Sequence, residues 1–156
     1  MNKSRSRQVY AGYTMIELLA VLALLSLITA LAVPRFTSKP QWHLEVASRR
    51  MAGDLRLLRQ AAINTGESCK IDYYIYTNRY ELSLPDGKER ISLPQGVRFD
   101  GTTTFSGVPP SLQFNNMGRP SSGGTVILEA GGFRRYVIVA PVTGRVRVSR
   151  EPPLHW

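Results

Sequence analysis

The chain has 156 residues, which leaves room for one globular domain besides a single long apolar stretch near its start. Lysine and arginine total 20 against 11 aspartate and glutamate, and the formal charge of +9 makes acidic partners such as nucleic acid or anionic lipid worth considering. A single cysteine, Cys69, excludes an intramolecular disulfide. With only two histidines beside it, we predict no transition-metal site and no cofactor.

The chain begins with a short basic segment that is followed by an apolar helix. Residues 1–12 contain three basic residues and no acid, whereas residues 18–33 contain only two polar side chains, Ser26 and Thr29. A helix over residues 13–33 would be roughly 31 Å long at about 1.5 Å per residue, close to the ~30 Å hydrocarbon core of a bilayer. We therefore predict a leader at residues 1–12 and a transmembrane helix at residues 13–34, with the basic end in the cytoplasm.

Glu17 is the residue that a simple membrane anchor does not explain. A carboxylate inside the bilayer costs about 2.5 to 3.5 kcal/mol on insertion scales, so a charge at that depth usually has a partner. Cleavage after Gly12 would create such a partner, because it would leave a new amino group on Tyr13, four residues away or on a neighbouring subunit.

The sequence GYTMIE at residues 12–17, followed directly by the apolar helix, resembles the class III signal of type IV pilins and type II secretion pseudopilins. The resemblance implies that a prepilin peptidase cleaves between Gly12 and Tyr13 and that the new amino terminus of Tyr13 is methylated. It also implies that Glu17 pairs with the amino terminus of the adjacent subunit during assembly.

The same resemblance predicts partners and location. The partners would be the prepilin peptidase, other pilin or pseudopilin subunits that pack through the N-terminal helix, and the membrane. The chain would be a single-pass protein of the bacterial inner membrane with its N terminus inside and its C terminus outside. It would then enter a pilus or pseudopilus in the periplasm or at the cell surface.

Two other interpretations of the N-terminal segment stay open at this point. Ala30-Leu31-Ala32 has the small-x-small pattern that ordinary signal peptidase accepts after an apolar region, which would release a soluble domain starting at Val33. The segment could also be an uncleaved signal anchor. An acid at the start of the apolar region is not something that either alternative needs.

A second, amphipathic helix follows two helix-breaking prolines, Pro34 and Pro40. We predict that residues 35–66 continue the helix into the globular domain and that Gly66 ends it. Apolar residues spaced by three or four define one buried stripe, whereas the arginines at positions 49, 50, 56 and 59 lie largely off it. The stripe consists of Leu44, Ala47, Met51, Leu55, Leu58 and Ala62.

Residues 67–156 change to a period of two with frequent turn residues, which predicts an antiparallel β-domain. The overall fold class is therefore α+β, with a long N-terminal helix packed on a sandwich-like antiparallel sheet. We expect tight turns at Asp86-Gly87, Gly131-Gly132 and Thr143-Gly144. The candidate strands are residues 71–76, 80–84, 90–93, 97–99, 112–114, 126–129, 133–140 and 145–149.

The sequences GGFRRYVIVAPVTGRVRVSR and FNNMGRP resemble the GspH/FimT type of minor subunit, which implies a β-sandwich-like outer domain. No catalytic motif is recognisable, so we predict no enzyme activity. The leading hypothesis is a minor pilin or pseudopilin, a structural subunit at or near the filament tip that helps to prime assembly of a type IV pilus or a type II secretion pseudopilus.

The alternative hypothesis is a DNA-binding minor pilin of a competence pilus. Gly144-Arg145-Val146-Arg147 matches a GRxR motif through which some FimT-type minor pilins bind DNA. On a strand, Arg145 and Arg147 would project from the same face and could contact successive phosphates. Three further arginines lie nearby in sequence and could enlarge the basic patch, namely Arg134, Arg135 and Arg150.

Overall fold

The computed structural model describes residues 14–32, 40–101 and 103–153, which fall into two compact units divided between residues 37 and 38. The predicted leader, the cleavage residues Gly12 and Tyr13, and Pro34 lie outside the described residues. The second unit contains one helix and all the strands, and it carries the core.

The first unit contains helix α1, Met15–Ala32. Thr14 caps its start, because the Thr14 Oγ1 and carbonyl oxygens accept hydrogen bonds from the Glu17 backbone N–H at 3.3 and 3.0 Å. This threonine followed three residues later by glutamate is the sequence pattern of a capping box. Ser26 and Thr29 donate their hydroxyls back to helix carbonyls, so both of these polar side chains are paired within α1.

Apart from Glu17, Ser26 and Thr29, the part of α1 whose side chains are described is apolar on all sides, and its large apolar side chains between Met15 and Ile28 are 49% to 81% exposed. Within residues 14–32, 40–101 and 103–153, no helix is both long enough and apolar enough to cross a bilayer. The predicted span at residues 13–34 extends past both ends of α1 into residues that the structure does not describe.

Helix α2 spans Pro40–Thr65 and begins at the second proline, which fits the first turn of a helix because that position needs no N–H donor. All six residues of the predicted apolar stripe are buried, and Ser48 and Ala52 widen the buried face. Gly66 has φ +73° and donates its N–H to the Ala62 carbonyl at 3.1 Å, so it ends the helix as predicted.

The strands form two four-stranded antiparallel sheets, in the orders β3-β2-β1-β5 and β4-β6-β7-β8. The α+β, sandwich-like class predicted from the sequence is therefore confirmed. The strands are β1 Cys69–Tyr74, β2 Arg79–Leu84, β3 Gly87–Ser92, β4 Arg98–Phe99, β5 Ser111–Phe114, β6 Gly124–Ala130, β7 Phe133–Val139 and β8 Val146–Ser149.

Two local expectations differ from the structure. Strand β1 ends at Tyr74 and not at Tyr76, because Ile75–Thr77 form a 3-10 turn that closes on Asn78 in the left-handed conformation. The β2–β3 hairpin turns on Pro85 and Asp86, while Gly87 is already the first residue of β3, paired with Leu84.

Helix α2 packs against strands of both sheets, so one core lies between the helix and the two sheets. Cys69 is fully buried within this core, as expected for a small packed side chain. Apolar side chains supply most of the core, including Leu55 and Leu58 of α2, Ile71, Leu82 and Leu112 of the first sheet, and Val126, Leu128 and Val137 of the second.

Polar contacts also connect α2 to the sheets. The Tyr80 hydroxyl of β2 donates to Asp54 Oδ2, and burial beside this carboxylate raises the pKa of Tyr80 well above its usual range. Nearer the start of the helix, Arg135 Nε of β7 donates to Glu45 Oε2 at 2.8 Å, and the Arg135 side chain is only 12% exposed. Such contacts fix the direction of α2 on the sheets.

Glu45 gives the domain an acid-sensitive contact. A hydrogen bond from Arg135, and to a smaller extent one from Arg49, holds the pKa of Glu45 below its usual value. The ionised Glu45 therefore stabilises the fold fully above about pH 4.3, and this stabilisation is lost as the pH falls through the lowered pKa. Glu45→Gln should therefore lower the free energy of unfolding by about 1 to 2 kcal/mol at pH 7 and by much less near pH 2.5. Urea denaturation at both pH values measures this, and an equal loss at both would contradict it.

Candidate functional site

The predicted GRxR motif lies at the turn between β7 and β8. The Ala140 N–H donates to the Arg145 carbonyl at 3.0 Å, and the Gly144 N–H donates to the Ala140 carbonyl at 3.0 Å. The Arg145 N–H also donates to Thr143 Oγ1 at 3.3 Å. These bonds close the turn and fix the backbone from which the two arginines of the motif extend.

Gly144 is required at this turn for two separate reasons. Its φ of +63° lies in the left-handed region, which side chains other than glycine rarely adopt. A Cβ at this position would also lie 2.8 Å from the Gly118 carbonyl oxygen and 3.3 Å from Arg59 Nε. The absence of a side chain at Gly144 therefore allows the β7–β8 turn to pack closely against the loop that contains Gly118.

Arg145 and Arg147 are both exposed, whereas Val146 between them is buried in the core. This alternation was predicted from the sequence, and it places both guanidinium groups on one face of β8. Together with Ile138 and Ala140 they line a shallow concavity of about 270 Å³. Among the described residues, neither arginine forms a salt bridge, so both retain an unneutralised positive charge.

The structure does not place Arg134 and Arg135 beside the motif. They lie at the opposite end of β7, and six residues of strand, roughly 20 Å, separate Arg134 from the turn at Ala140. Arg134 Nε lies 3.0 Å from Asp100 Oδ2, and Arg135 is paired with Glu45. The expectation that these two arginines enlarge the patch around the motif is not met.

Arg150 is also separated from the GRxR pair. It lines another concavity with Trp42, Glu45, Arg49 and Arg135, near the start of α2. The carboxylate of Glu45 already neutralises part of the charge there. The five arginines proposed from the sequence are therefore divided: Arg145 and Arg147 line one concavity, Arg135 and Arg150 line another beside Glu45, and Arg134 lies against Asp100.

Two of the α2 arginines that the sequence places off the buried stripe, Arg56 and Arg59, also lie close to the motif. Arg56 Nη2 donates to the Val146 carbonyl at 3.1 Å, and Arg59 Nε donates to the Gly118 carbonyl at 3.0 Å. Helical periodicity placed both residues beside the buried stripe, which was correct. It could not show that residue 56 meets residue 146, because that contact depends on how the helix crosses the sheets.

The comparisons with protein families agree with both parts of the chain. The family described as type II transport protein GspH matches residues 47–144, and the prokaryotic N-terminal methylation motif matches residues 7–33. That motif implies a membrane-anchored subunit that a prepilin peptidase processes and that assembles with other pilins. A relative, the competence protein ComGD of Bacillus subtilis strain 168, is 30% identical over 145 residues, covering 90% of this chain and 94% of ComGD.

Solved structures share the fold of this chain at low sequence identity. The minor pseudopilin EpsH of the Vibrio cholerae type 2 secretion system aligns with a TM-score of 0.56 and 17% identity, over 69% of this chain and 96% of EpsH. The type IV minor pilin FimU of Pseudomonas aeruginosa strain PAO1 aligns with a TM-score of 0.54 and 12% identity, over 68% of this chain and 92% of FimU. The chain belongs to the GspH family and is a minor subunit of the pilin and pseudopilin class, with a structural and not an enzymatic role.

Proposed function

We propose that this minor subunit is cleaved between Gly12 and Tyr13, is methylated at Tyr13, and enters a filament near its tip, where it primes assembly. Before assembly it would be anchored in the inner membrane with its N terminus inside and its C terminus outside. The observation that supports an assembly role best is the exposed apolar surface of α1. A helix that is apolar on every side needs an apolar environment, and the equivalent helices of neighbouring subunits would supply one.

Glu17 has two candidate roles that the structure helps to separate. Its position three residues after Thr14 suits a capping box, in which the side chain stabilises the first turn of the helix. Under our proposal, its charge also pairs with the amino terminus of an adjacent subunit, which makes the pair tolerable in an apolar surrounding. Glutamine can replace glutamate in a capping box but carries no charge, so Glu17→Gln separates the two roles.

Intact-mass analysis of the full-length chain, co-expressed with a prepilin peptidase, tests the processing step. We expect a product that begins at Tyr13 and carries one added methyl group, whereas Gly12→Val should keep its leader because the larger side chain obstructs the cleavage site. Glu17→Gln should be cleaved normally but should be absent from sheared filaments. A product that begins at Val33, or normal incorporation of Glu17→Gln, would contradict the proposal.

The second candidate function is DNA capture by a competence pilus. The observation that favours it is the pair of exposed arginines, Arg145 and Arg147, with no acidic partner in the part of the chain that the structure describes. The likeness to a competence protein of Bacillus subtilis supports the same candidate. Arginines on one strand face can contact phosphates of the DNA backbone, and such binding weakens as salt rises.

A mobility-shift assay with the full-length chain in detergent tests this candidate. We expect a shift of duplex DNA at low salt that Arg145→Ala with Arg147→Ala weakens by at least tenfold, with a salt slope smaller by roughly one for each arginine. The matched control is Arg79→Ala with Lys88→Ala, which removes two exposed charges from the other sheet. No shift with the unaltered chain, or an equal loss in both double variants, would contradict DNA capture through the motif.

A further inference from the structure

A second concavity lies on the other side of Arg145, between α2 and the β7–β8 turn. Its volume is about 440 Å³, which leaves space for an oxyanion together with several waters of about 30 Å³ each. It is lined by Arg56, Arg59 and Gln60 of α2 and by Gly144, Arg145 and Val146 of the hairpin. Three guanidinium groups from two separate elements therefore border one small space.

Two of these guanidinium groups are held in place by the protein backbone. Arg56 is bonded to the Val146 carbonyl and Arg59 to the Gly118 carbonyl, through one nitrogen each. An arginine has five N–H donors in a planar fork, so each group keeps donors for a ligand. Because the backbone bonds already restrict the side chains, binding a ligand costs less side-chain entropy than it would with free arginines.

No acidic side chain is among the described residues that line this concavity. This distinguishes it from the concavity near Arg150, where Glu45 bonds to both Arg49 and Arg135. The positive charges of the three arginines repel one another, and a bound anion would offset this repulsion. The group that suits a space bordered by three guanidinium groups is an oxyanion with several acceptor oxygens, of which phosphate is the best match.

Arg145 connects this concavity with the one that contains Arg147, because it lines both. Arg145 and Arg147 are two residues apart on a strand, about 7 Å, while phosphates follow one another along each DNA strand at about 3.4 Å of helix rise. One nucleic-acid backbone could therefore run past Arg147 and Arg145 and place another phosphate against α2.

We propose that the concavity formed by Arg56, Arg59, Gln60 and Arg145 binds one backbone phosphate of DNA, so that the binding surface extends from the hairpin onto α2. This inference rests on the second candidate function, DNA capture. It identifies three α2 residues as contacts that sequence motifs do not indicate, and it leaves Arg134 and Arg135 outside the binding surface.

The variant Gln60→Glu tests the inference without removing an arginine that supports the fold. Gln60 is exposed, and its side chain bonds only to Asn64 Oδ1 among the described residues, so glutamate should preserve the helix. It would place a negative charge at the phosphate position. The matched control is Gln41→Glu, the same change at another exposed position of α2, 19 residues or about 28 Å away. Gln41 lines the concavity that contains Arg150 and the carboxylate of Glu45, so the pair of variants also distinguishes the two arginine-rich concavities.

Salt-dependent DNA binding of the full-length chain in detergent distinguishes the outcomes. We expect Gln60→Glu to weaken binding about five- to tenfold at low salt and to reduce the salt slope by about 0.9, while Gln41→Glu changes neither measurably. The phosphate site alone would be overturned if Gln60→Glu and Gln41→Glu had equal effects, while the unaltered chain bound DNA and the double variant Arg145→Ala with Arg147→Ala did not. Absence of DNA binding by the unaltered chain would overturn both the site and DNA capture.

Discussion

Gly144→Ala should lower the free energy of unfolding by about 2 to 5 kcal/mol. Part of this loss, about 1 to 2 kcal/mol, comes from forcing alanine into a left-handed conformation at φ +63°. The remainder comes from the new Cβ, which would lie 2.8 Å from the Gly118 carbonyl oxygen and would have to move the loop or the turn. Urea denaturation of the full-length chain in detergent, followed by near-ultraviolet circular dichroism of the buried tyrosines, measures the loss.

Gly132→Ala is the matched control for this prediction. Gly132 also lies in a hairpin turn and has φ +80°, but nothing lies within 4 Å of the Cβ that alanine would add. Gly132→Ala should therefore lower the free energy of unfolding only by the cost of the left-handed conformation, about 1 to 2 kcal/mol. If the two variants were destabilised equally, the close approach of the turn to Gly118 would contribute nothing, and the glycine of the motif would be explained by turn conformation alone.

Gly144 has one role that the sequence predicts and one that it does not. That Gly144 makes a turn follows from its position between two alternating segments. That it also touches the loop at Gly118 and the side chain of Arg59 depends on contacts between segments far apart in the chain. Such contacts depend on the order of strands and on the crossing of the helix, which hydrophobic periodicity alone does not give.

The features predicted best were those with a strong local cause. The apolar stripe of α2 and its end at Gly66 both follow from a period of 3.6 and from the conformational freedom of glycine. The end of β1 was predicted two residues too late, because the tyrosine-rich run continues to favour strand through Tyr76. Asn78 in the left-handed conformation ends that run, and an asparagine there is weaker evidence for a turn than a glycine.

The arginines illustrate the same limit at the candidate site. Closeness in sequence suggested one patch of five, but β7 is long enough to place Arg134 about 20 Å from the turn, where it meets Asp100. In contrast, Arg56 is 90 residues from Val146 in sequence and is bonded to it in the fold. The electrostatic surface of this domain is thus set by strand length and helix packing more than by the spacing of charges in the sequence.

Leu55→Ala should be among the most destabilising single substitutions in the chain, with a loss of about 2 to 5 kcal/mol in the free energy of unfolding. Leu55 is fully buried in the core between α2 and the sheets, and truncating it removes apolar contacts and leaves a cavity. The same urea denaturation measures the loss, and the helix itself should be unaffected because alanine favours helix at least as well as leucine.

Leu57→Ala provides the control on the same helix, two residues away. The Leu57 side chain is 52% exposed, so its truncation should change the free energy of unfolding by no more than about 0.5 kcal/mol. Both variants make the same chemical change in the same helix, and any difference between them reports burial alone. Similar losses in the two would mean that α2 does not pack on the sheets through the predicted stripe. A large loss for Leu55→Ala alone would show that this stripe holds the helix, and with it Arg56 and Arg59, in place beside the β7–β8 turn.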